Sequence, residues 1–227
     1  METEDLRIEE GPTLVREHAA RKLRDAIAAG LYKPGARLVE RELCDALGVS
    51  RTSVREAMRQ LQAENLIRVG PRRNISVAIL TVQDAHDIYE LREMVEPVAL
   101  RRFIATADAA AMKQVSESWA IMRKTFAKRD SLALAREATR LYEHFLTHCG
   151  SPVYRDTGVQ LLNRVSYLRL AAMSSPGRLE SGMEEWRTIV EATVQRNADA
   201  AAEAYVAHIR NARLAIEHKL AAKDDAI

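Results

Sequence analysis

The stretch LGVSRTSVREAMRQL, residues 47–61, constrains the fold of this chain most, because it has the pattern of a tight turn followed by an amphipathic helix. The preceding segment ERELCDAL, residues 40–47, predicts a short helix of its own. Gly48 permits the tight turn, and Ser50 is a good N-cap for a second helix that runs to about Glu64. Together these signals predict a helix-turn-helix.

The second of these helices is predicted to have a core face and an exposed face. Its core positions, at three- and four-residue spacing, are Val54, Ala57, Met58 and Leu61. Its exposed positions near the N-terminal end are Arg51, Thr52, Ser53 and Arg55. That end of a recognition helix contacts base edges in DNA, but arginines on a helix surface are also common where they are merely solvated.

Two short β-prone runs follow, residues 66–69 and 75–80, and they flank the sequence GPRRN. They predict a hairpin, or wing, whose tip carries Arg72 and Arg73. Asn65 stands where a helix commonly ends in a left-handed residue, a conformation that asparagine tolerates better than most residues. The basic wing favours DNA binding over simple solvation of the arginines.

Residues 14–77 resemble the winged helix-turn-helix of GntR-family bacterial transcription regulators. The phrase IAAGLYKPGARLVERELCDALGVSRTSVREAMRQLQAENLI carries the resemblance almost position by position. The chain departs from the family pattern at a few small or turn-compatible positions, namely Leu43, Cys44, Ser53, Asn65 and Asn74. None of these exchanges puts the expected fold in doubt.

The resemblance also implies which residues contact DNA. The arginines that correspond to the family's DNA contacts are Arg41, Arg51 and Arg55, with Thr52 and Ser53 assisting. The wing, with Arg72 and Arg73, is expected to enter the minor groove. Double-stranded operator DNA is therefore the first partner we expect.

Length and charge fit a two-domain regulator. We expect a DNA-binding domain over residues 12–80 and a second domain over 81–227, preceded by a disordered acidic arm, residues 1–11. Residues 12–80 hold 13 Lys and Arg against 7 Asp and Glu, a net charge of +6 where phosphate contacts need it. No run reaches the roughly 20 apolar residues of a membrane span. We therefore expect a cytoplasmic protein with no membrane partner.

The second domain is predicted to be an all-helical antiparallel bundle, which makes the chain mostly α with one small β-hairpin. Thr81 opens it with the pattern of a capping box, and Pro97 is expected to kink or divide its first helix. The helices are predicted at residues 84–105, 108–128, 130–149, 152–173, 180–198 and 199–222. Cys44 and Cys149 lack zinc or disulfide spacing, so both are expected to be buried thiols.

Residues 88–105, the turn CGSPVY and the segment NADAAAEAYVAHIRNA resemble the FadR branch of the same family, with its C-terminal effector-binding helical domain. The resemblance then covers residues 14–222. It implies a sensor of small molecules that forms a homodimer. The dimer would place two DNA-reading heads on a palindromic operator.

Many members of this branch hold a divalent metal with one Asp and three His. The resemblance places Ala138, Tyr142, Trp186 and His208 at those positions. One imidazole cannot hold such a metal by itself, so we predict no stoichiometric metal and no cofactor. The alternative is that His144 and His148, four residues apart on one helix, recruit a metal together with His208.

Without a metal, Tyr142, Trp186 and His208 predict an aromatic-rimmed cavity for an organic effector, although aromatic side chains also serve simply to fill space. Arg92 is a candidate clamp for the carboxylate of an acidic effector. Glu96 lies four residues further on, and an ion pair within the helix is the alternative role for Arg92.

Two other classes of function are compatible with parts of the sequence. An enzyme would need a nucleophile with a base, or a metal set, and the loop residue pair Ser174–Ser175 has no such partner in the sequence, so we predict no catalysis. A DNA-binding architectural protein without an effector would explain the basic domain equally well. It would leave residues 81–227 with dimerisation as their only role.

Overall fold

The computed structural model describes residues 13–71, 74–173 and 175–224, so the predicted arm, residues 1–11, lies outside the described residues. The chain separates into two compact units. Of the described residues, the first unit holds those up to 27 together with those from 31 to 79, and the second holds residues 28–30 and those from Leu80 onward.

The N-terminal part of the chain is a helix-turn-helix followed by a hairpin. Its elements are α1 (Thr13–Ala28), α2 (Glu40–Leu47), α3 (Arg51–Ala63), β1 (Ile67–Val69) and β2 (Ile75–Val77). Gly48 ends α2 in the left-handed conformation that glycine adopts without strain, and its N–H donates to the Cys44 carbonyl. The predicted core positions of α3 are all buried: Val54, Ala57, Met58 and Leu61.

The hairpin follows α3 directly because Asn65 turns the chain with a φ of 59°, as its position predicted. β1 and β2 are antiparallel, with Ile67 opposite Val77 and Val69 opposite Ile75. The predicted second strand extended to Leu80, but β2 ends at Val77, and one further backbone hydrogen bond, from the Ala78 N–H to the Leu66 carbonyl, continues the pairing beyond it.

The regular secondary structure of the second unit is all α-helix within its described residues, which confirms the predicted fold class. Its helices are α4 (Val82–Thr106), α5 (Ala109–Ala127), α6 (Ser131–Thr147), α7 (Pro152–Arg164), α8 (Ser166–Met173), α9 (Arg178–Val194) and α10 (Ala198–Asp224). Thr81 makes the predicted capping box with Asp84, and the side chains of Asp108 and Asp130 cap α5 and α6.

One predicted helix of this unit was wrong. The helix expected over 152–173 is divided into α7 and α8 at Val165, whose side chain is fully buried at the break. Pro97 was expected to kink or divide the first helix, and α4 continues through that residue undivided. No helix of the described ranges combines the length and the apolar character that crossing a membrane requires.

The long helices of this unit pack together and form its core, which also contains several buried polar side chains. α10 packs along α4 and α9, while α6 packs against α5, α7 and α4. α6 and α7 approach each other closely at Gly158, where an added Cβ would overlap the Leu146 side chain. A side chain at residue 158 would therefore separate these two helices or displace Leu146.

Candidate functional site

The first turn of α3 presents polar side chains to solvent from a fixed helix end. Arg51 and Thr52 are exposed and follow the N-cap residue Ser50. Ser53 is half-buried, and its N–H donates to the Ser50 hydroxyl at 3.2 Å. This cap fixes the start of the helix, so Arg51 and Thr52 lie at the end that a recognition helix offers to base edges.

Arg55 joins the two helices of this motif. Its side chain is 59% exposed, and its Nε donates to both carboxylate oxygens of Glu40 on α2, at 2.9 and 3.1 Å. A guanidinium has five N–H donors, and this ion pair uses only one of them. The others can therefore bind a phosphate or a base edge. Arg41, the residue after Glu40, is also exposed.

The wing is closed by backbone hydrogen bonds, from the Gly70 N–H to the Asn74 carbonyl and from the Asn74 N–H to the Pro71 carbonyl. Arg72 and Arg73 lie outside the described residues. Sequence reasoning missed Arg37 and Arg68, which are both exposed and both paired with Ser76 across the strands. The alternation of side chains along β1 could have indicated Arg68 as outward-facing.

The helical unit encloses a cavity between α4, α5, α6, α8, α9 and α10. The volume of this cavity is about 60 Å³. That is room for a few water molecules, each of which needs about 10–15 Å³ by this measure. Three of the predicted effector residues line it, namely Tyr142, Trp186 and His208. Much of the remaining wall is aliphatic or sulfur-containing, with Met122, Leu134, Met173, Leu179, Met183 and Ile216.

A chain of hydrogen bonds runs from this cavity into the surrounding helices. The Tyr142 hydroxyl bonds to His208 Nε2, and His208 Nδ1 bonds to Glu185 Oε2. Burial raises the pKa of Tyr142 to about 12, so this hydroxyl stays protonated and donates a hydrogen bond to His208 Nε2. His208 then carries its own proton on Nδ1 and donates it to Glu185.

Burial also lowers the pKa of His208, against the opposing hydrogen bond and charge of Glu185, so we assign a neutral imidazole. Glu185 is ionised: burial alone would raise its pKa, but His208 and Arg178 hold that pKa below its usual value. The Arg178 guanidinium binds both Glu185 oxygens at 2.9 and 3.0 Å, and the Asn211 amide donates to Glu185 at 2.9 Å. Tyr142 and His208 are therefore fixed in orientation before any ligand arrives.

Arg92 does not line the cavity. It is 1% exposed and makes a bidentate ion pair with Glu96, which is the alternative that the four-residue spacing allowed. The Tyr205 hydroxyl donates to Glu96 at 3.0 Å. Although burial opposes the charge, Glu96 holds the pKa of Arg92 well above its ordinary value. The clamp predicted for a carboxylate effector is thus occupied by a carboxylate of the chain itself.

A second arginine, Arg169 on α8, does line the cavity and was missed by sequence reasoning. It is 9% exposed, and its guanidinium lies 5.0 Å from the centre of the Tyr142 ring. Its hydrogen bonds go to the Thr139 hydroxyl and the Leu162 carbonyl. Among the described residues it has no carboxylate partner, unlike Arg92 and Arg178.

The side chains at the positions of the family's metal ligands do not fit a metal ion. Ala138 and Trp186 offer no donor atom, and Tyr142 is held in its protonated form. Both nitrogens of His208 are already hydrogen-bonded. Within residues 13–71, 74–173 and 175–224, no cluster of three or more His, Cys, Asp or Glu is placed to bind a metal.

His144 and His148 are not brought together with His208. Their rings lie 4.4 Å apart and line a surface groove between α5 and α6, whereas His208 lines the cavity. Each of the two bonds a backbone carbonyl, His144 that of Ala111 and His148 that of His144. A metal site built from all three histidines would require a rearrangement of the unit.

Comparisons with known proteins agree with the geometry of both units. Residues 15–77 match the family model of bacterial regulatory proteins of the gntR family, and residues 87–211 match that of the FCD domain. The chain is 27% identical to the HTH-type transcriptional regulator YdhC of Bacillus subtilis, over 88% of this chain and 89% of that protein. It is 25% identical to the galactonate operon transcriptional repressor of Escherichia coli, over 78% of this chain and 86% of that protein.

Solved structures share the fold. The structure of Escherichia coli McbR/YncC has a TM-score of 0.80 at 18% identity and covers 88% of this chain and 95% of its own. That of a GntR transcriptional regulator from Rhodococcus sp. RHA1 has a TM-score of 0.75 at 26% identity, with 88% and 96% covered. These relatives are transcription regulators rather than enzymes. The gntR model matches the helix-turn-helix unit, and the FCD model matches more than half of the 227 residues. The chain therefore belongs to the GntR family of transcription regulators that carry an FCD effector-binding domain.

Proposed function

We propose that this chain is a ligand-responsive transcription regulator that binds a palindromic operator as a homodimer. The observation that carries the DNA-binding part is the capped N-terminus of α3, which presents exposed Arg51, Thr52 and Arg55. In this proposal Arg51 and Arg55 contact bases in the major groove, and Arg41 and Ser53 support them. Arg72 and Arg73 of the wing add phosphate or minor-groove contacts.

Alanine substitutions on α3 test the proposed base contacts. Arg51→Ala or Arg55→Ala should weaken operator binding by about 1–3 kcal/mol, which is about 5- to 150-fold in Kd. Arg59→Ala is the matched control, because Arg59 lies on the same helix, is exposed and pairs only with Glu56 among the described residues. A gel-shift titration in which both variants keep wild-type affinity would refute the assignment.

Arg55 needs a further control because its ion pair with Glu40 joins α2 to α3. Glu40→Gln removes the ion pair and leaves the arginine in place. If Arg55 acts on DNA, Glu40→Gln should retain operator binding while Arg55→Ala loses it. Equal losses in the two variants would mean that Arg55 only supports the helix pair.

The wing is tested through salt dependence. A side chain that neutralises one phosphate contributes about one unit to the slope of log affinity against log salt. Arg72→Ala or Arg73→Ala should therefore flatten that slope by about one unit each. An unchanged slope in both variants would remove the wing from the interface.

The proposed effector is a small organic carboxylate with an apolar body. Arg169 supplies the argument, because a buried guanidinium without a carboxylate partner is costly until an anion binds it. Tyr142 and His208 lie at the polar side of the same cavity, and the aliphatic wall suits a short hydrocarbon chain. Binding to the helical unit would then shift the arrangement of the DNA-reading heads.

Thermal-shift titration with paired ligands tests this effector class. Short-chain carboxylic acids should raise the melting temperature at pH 7, whereas their primary amides, which match them in shape and lack the charge, should not. Arg169→Gln should abolish the difference between acid and amide. Acids and amides that stabilise equally would exclude the carboxylate, and no shift with any ligand would favour the architectural alternative.

The same cavity should control DNA release. Trp186→Ala removes a wall of the cavity without touching α3, so it should abolish the effect of the ligand on operator binding while operator affinity itself is retained. Elemental analysis of the purified wild-type protein should find no stoichiometric zinc, nickel or manganese. One metal per chain that is lost in His208→Ala would contradict the proposal.

A further inference from the structure

One face of α4 carries apolar side chains that the chain itself leaves exposed. The fractional exposures are 47% for Leu91, 61% for Met94 and 39% for Val98. Asp87 precedes these residues and Arg101 follows them, and both are exposed. Successive members of this set, the α4 stripe, are four, three, four and three residues apart, which places them along one side of a helix.

We propose that a second copy of this chain packs on the α4 stripe, with the two α4 helices antiparallel and Met94 at the two-fold axis. This inference rests on the homodimer of the proposed function and assigns its interface. A two-fold interface must be self-complementary, since residue i of one copy meets residue j of the other and the reverse. The stripe meets that condition because Asp87 and Arg101 lie equally far, seven residues, from Met94.

The charges at the two ends of the stripe favour a second copy of this chain as the partner and favour antiparallel packing of the two α4 helices. Asp87 and Arg101 are fourteen residues apart on one helix, about 21 Å at 1.5 Å per residue, so they cannot pair within one chain. In an antiparallel pair, each Asp87 lies opposite Arg101 of the other copy. A parallel pair would place Asp87 against Asp87 and Arg101 against Arg101, which is repulsive.

The Asp87 carboxylate and the Arg101 guanidinium can both form this ion pair without breaking their contacts within the chain. Within the described residues, Asp87 accepts a hydrogen bond from the Gln83 amide at 2.6 Å and has no cationic partner. Arg101 binds the exposed Asp199 through Nε and Nη2, and its side chain remains 43% exposed. Its Nη1 is left to donate to the carboxylate of Asp87 across the axis.

Burial of the apolar side chains at the centre of the stripe would drive association of the two copies. Leu91 of one copy would pack beside Val98 of the other, on both sides of the paired Met94 side chains. Protein–protein interfaces generally have an apolar centre and a polar rim that stays accessible to solvent, and the stripe has the same arrangement. Contiguous exposed apolar side chains flanked by charges are also typical of a surface that binds a partner.

Light scattering on full-length variants tests this interface. Met94→Glu brings two carboxylates together at the axis and should shift the protein from dimer to monomer at concentrations where the wild type is dimeric. Ile121→Glu is the matched control, because Ile121 is 44% exposed and lies on a different helix, α5, and its substitution should leave the dimer intact. A dimeric Met94→Glu variant with wild-type circular dichroism would overturn the inference.

Charge exchange keeps the test decisive if Met94→Glu fails to fold. Asp87→Arg and Arg101→Glu should each weaken the homodimer, because each variant opposes like charges twice. Mixed together, the two variants should form a heterodimer in preference to either homodimer, since both contacts across the axis are then between opposite charges. Subunit exchange followed by fluorescence energy transfer measures this preference, and a statistical mixture would overturn the inference.

These outcomes are distinct from failure of the proposed function. A wild-type protein that is monomeric, both free and on saturating operator DNA, would remove the homodimer itself and the inference with it. A wild-type dimer that none of the stripe variants affects would leave the proposed function standing and show that the interface lies elsewhere.

Discussion

Tyr142→Phe tests whether the polar residues of the cavity are held by the hydrogen-bond chain described above. The substitution keeps the ring, which packs 4.8 Å from that of Trp186, and removes only the hydroxyl. His208 Nε2 then loses its donor in a site where the residue is 4% exposed. An unsatisfied buried acceptor costs about 1–3 kcal/mol. We expect a loss of that size in the free energy of unfolding.

Urea unfolding followed by tryptophan fluorescence reports on the helical unit, because both tryptophans, Trp119 and Trp186, lie in it. Chain concentration must be the same for all variants, because dimerisation contributes to stability. Tyr154→Phe is the control: Tyr154 is half-buried, and the described part of the chain shows no hydrogen bond from its hydroxyl. Equal stabilities of the two variants would refute the hydrogen-bond chain.

Further substitutions address other parts of the helical unit. Because burial lowers the pKa of His208, its contribution to stability is present above its unfolded pKa and is lost as pH falls through the folded value. The slope of stability against pH between about 7 and 5 should therefore be shallower in His208→Gln, and an unchanged slope would contradict the assignment. Arg92→Met should destabilise the unit by about 3–5 kcal/mol in urea unfolding, because Glu96 is left as an unpaired buried charge; a loss under about 1 kcal/mol would contradict this. Gly158→Ala should cost about 1–3 kcal/mol through its contact with Leu146, and a neutral result would show that α6 and α7 adjust freely.

The parts of the structure that local chemistry determines could be predicted from the sequence. The buried positions of α3 follow from apolar spacing, and the cap at Ser50 and the capping box at Thr81 follow from side chains that bond their own helix ends. Asn65 adopts the predicted positive φ for the same local reason. The position of Trp186 beside Tyr142 was predicted from the family resemblance.

Features that depend on tertiary packing could not be predicted. The break at Val165 has no glycine or proline to indicate it, and the valine at the break is fully buried, which depends on tertiary packing. Arg169 lies in a segment whose periodicity shows only a helix, and its place in the cavity depends on how α8 packs against α6 and α9. The spacing of Arg92 and Glu96 allowed either an ion pair or a ligand clamp, and only the burial of both side chains decides between them.

Selection from random double-stranded DNA tests most directly whether α3 reads a two-fold symmetric DNA sequence. The wild-type protein should enrich a palindrome whose half-sites lie about one helical turn apart or closer. Arg51→Ala should enrich sequences with reduced preference at one position in each half-site, and Arg59→Ala should enrich the wild-type palindrome. Failure of the wild type to enrich any sequence, or an identical palindrome with undiminished affinity from Arg51→Ala, would contradict the claim.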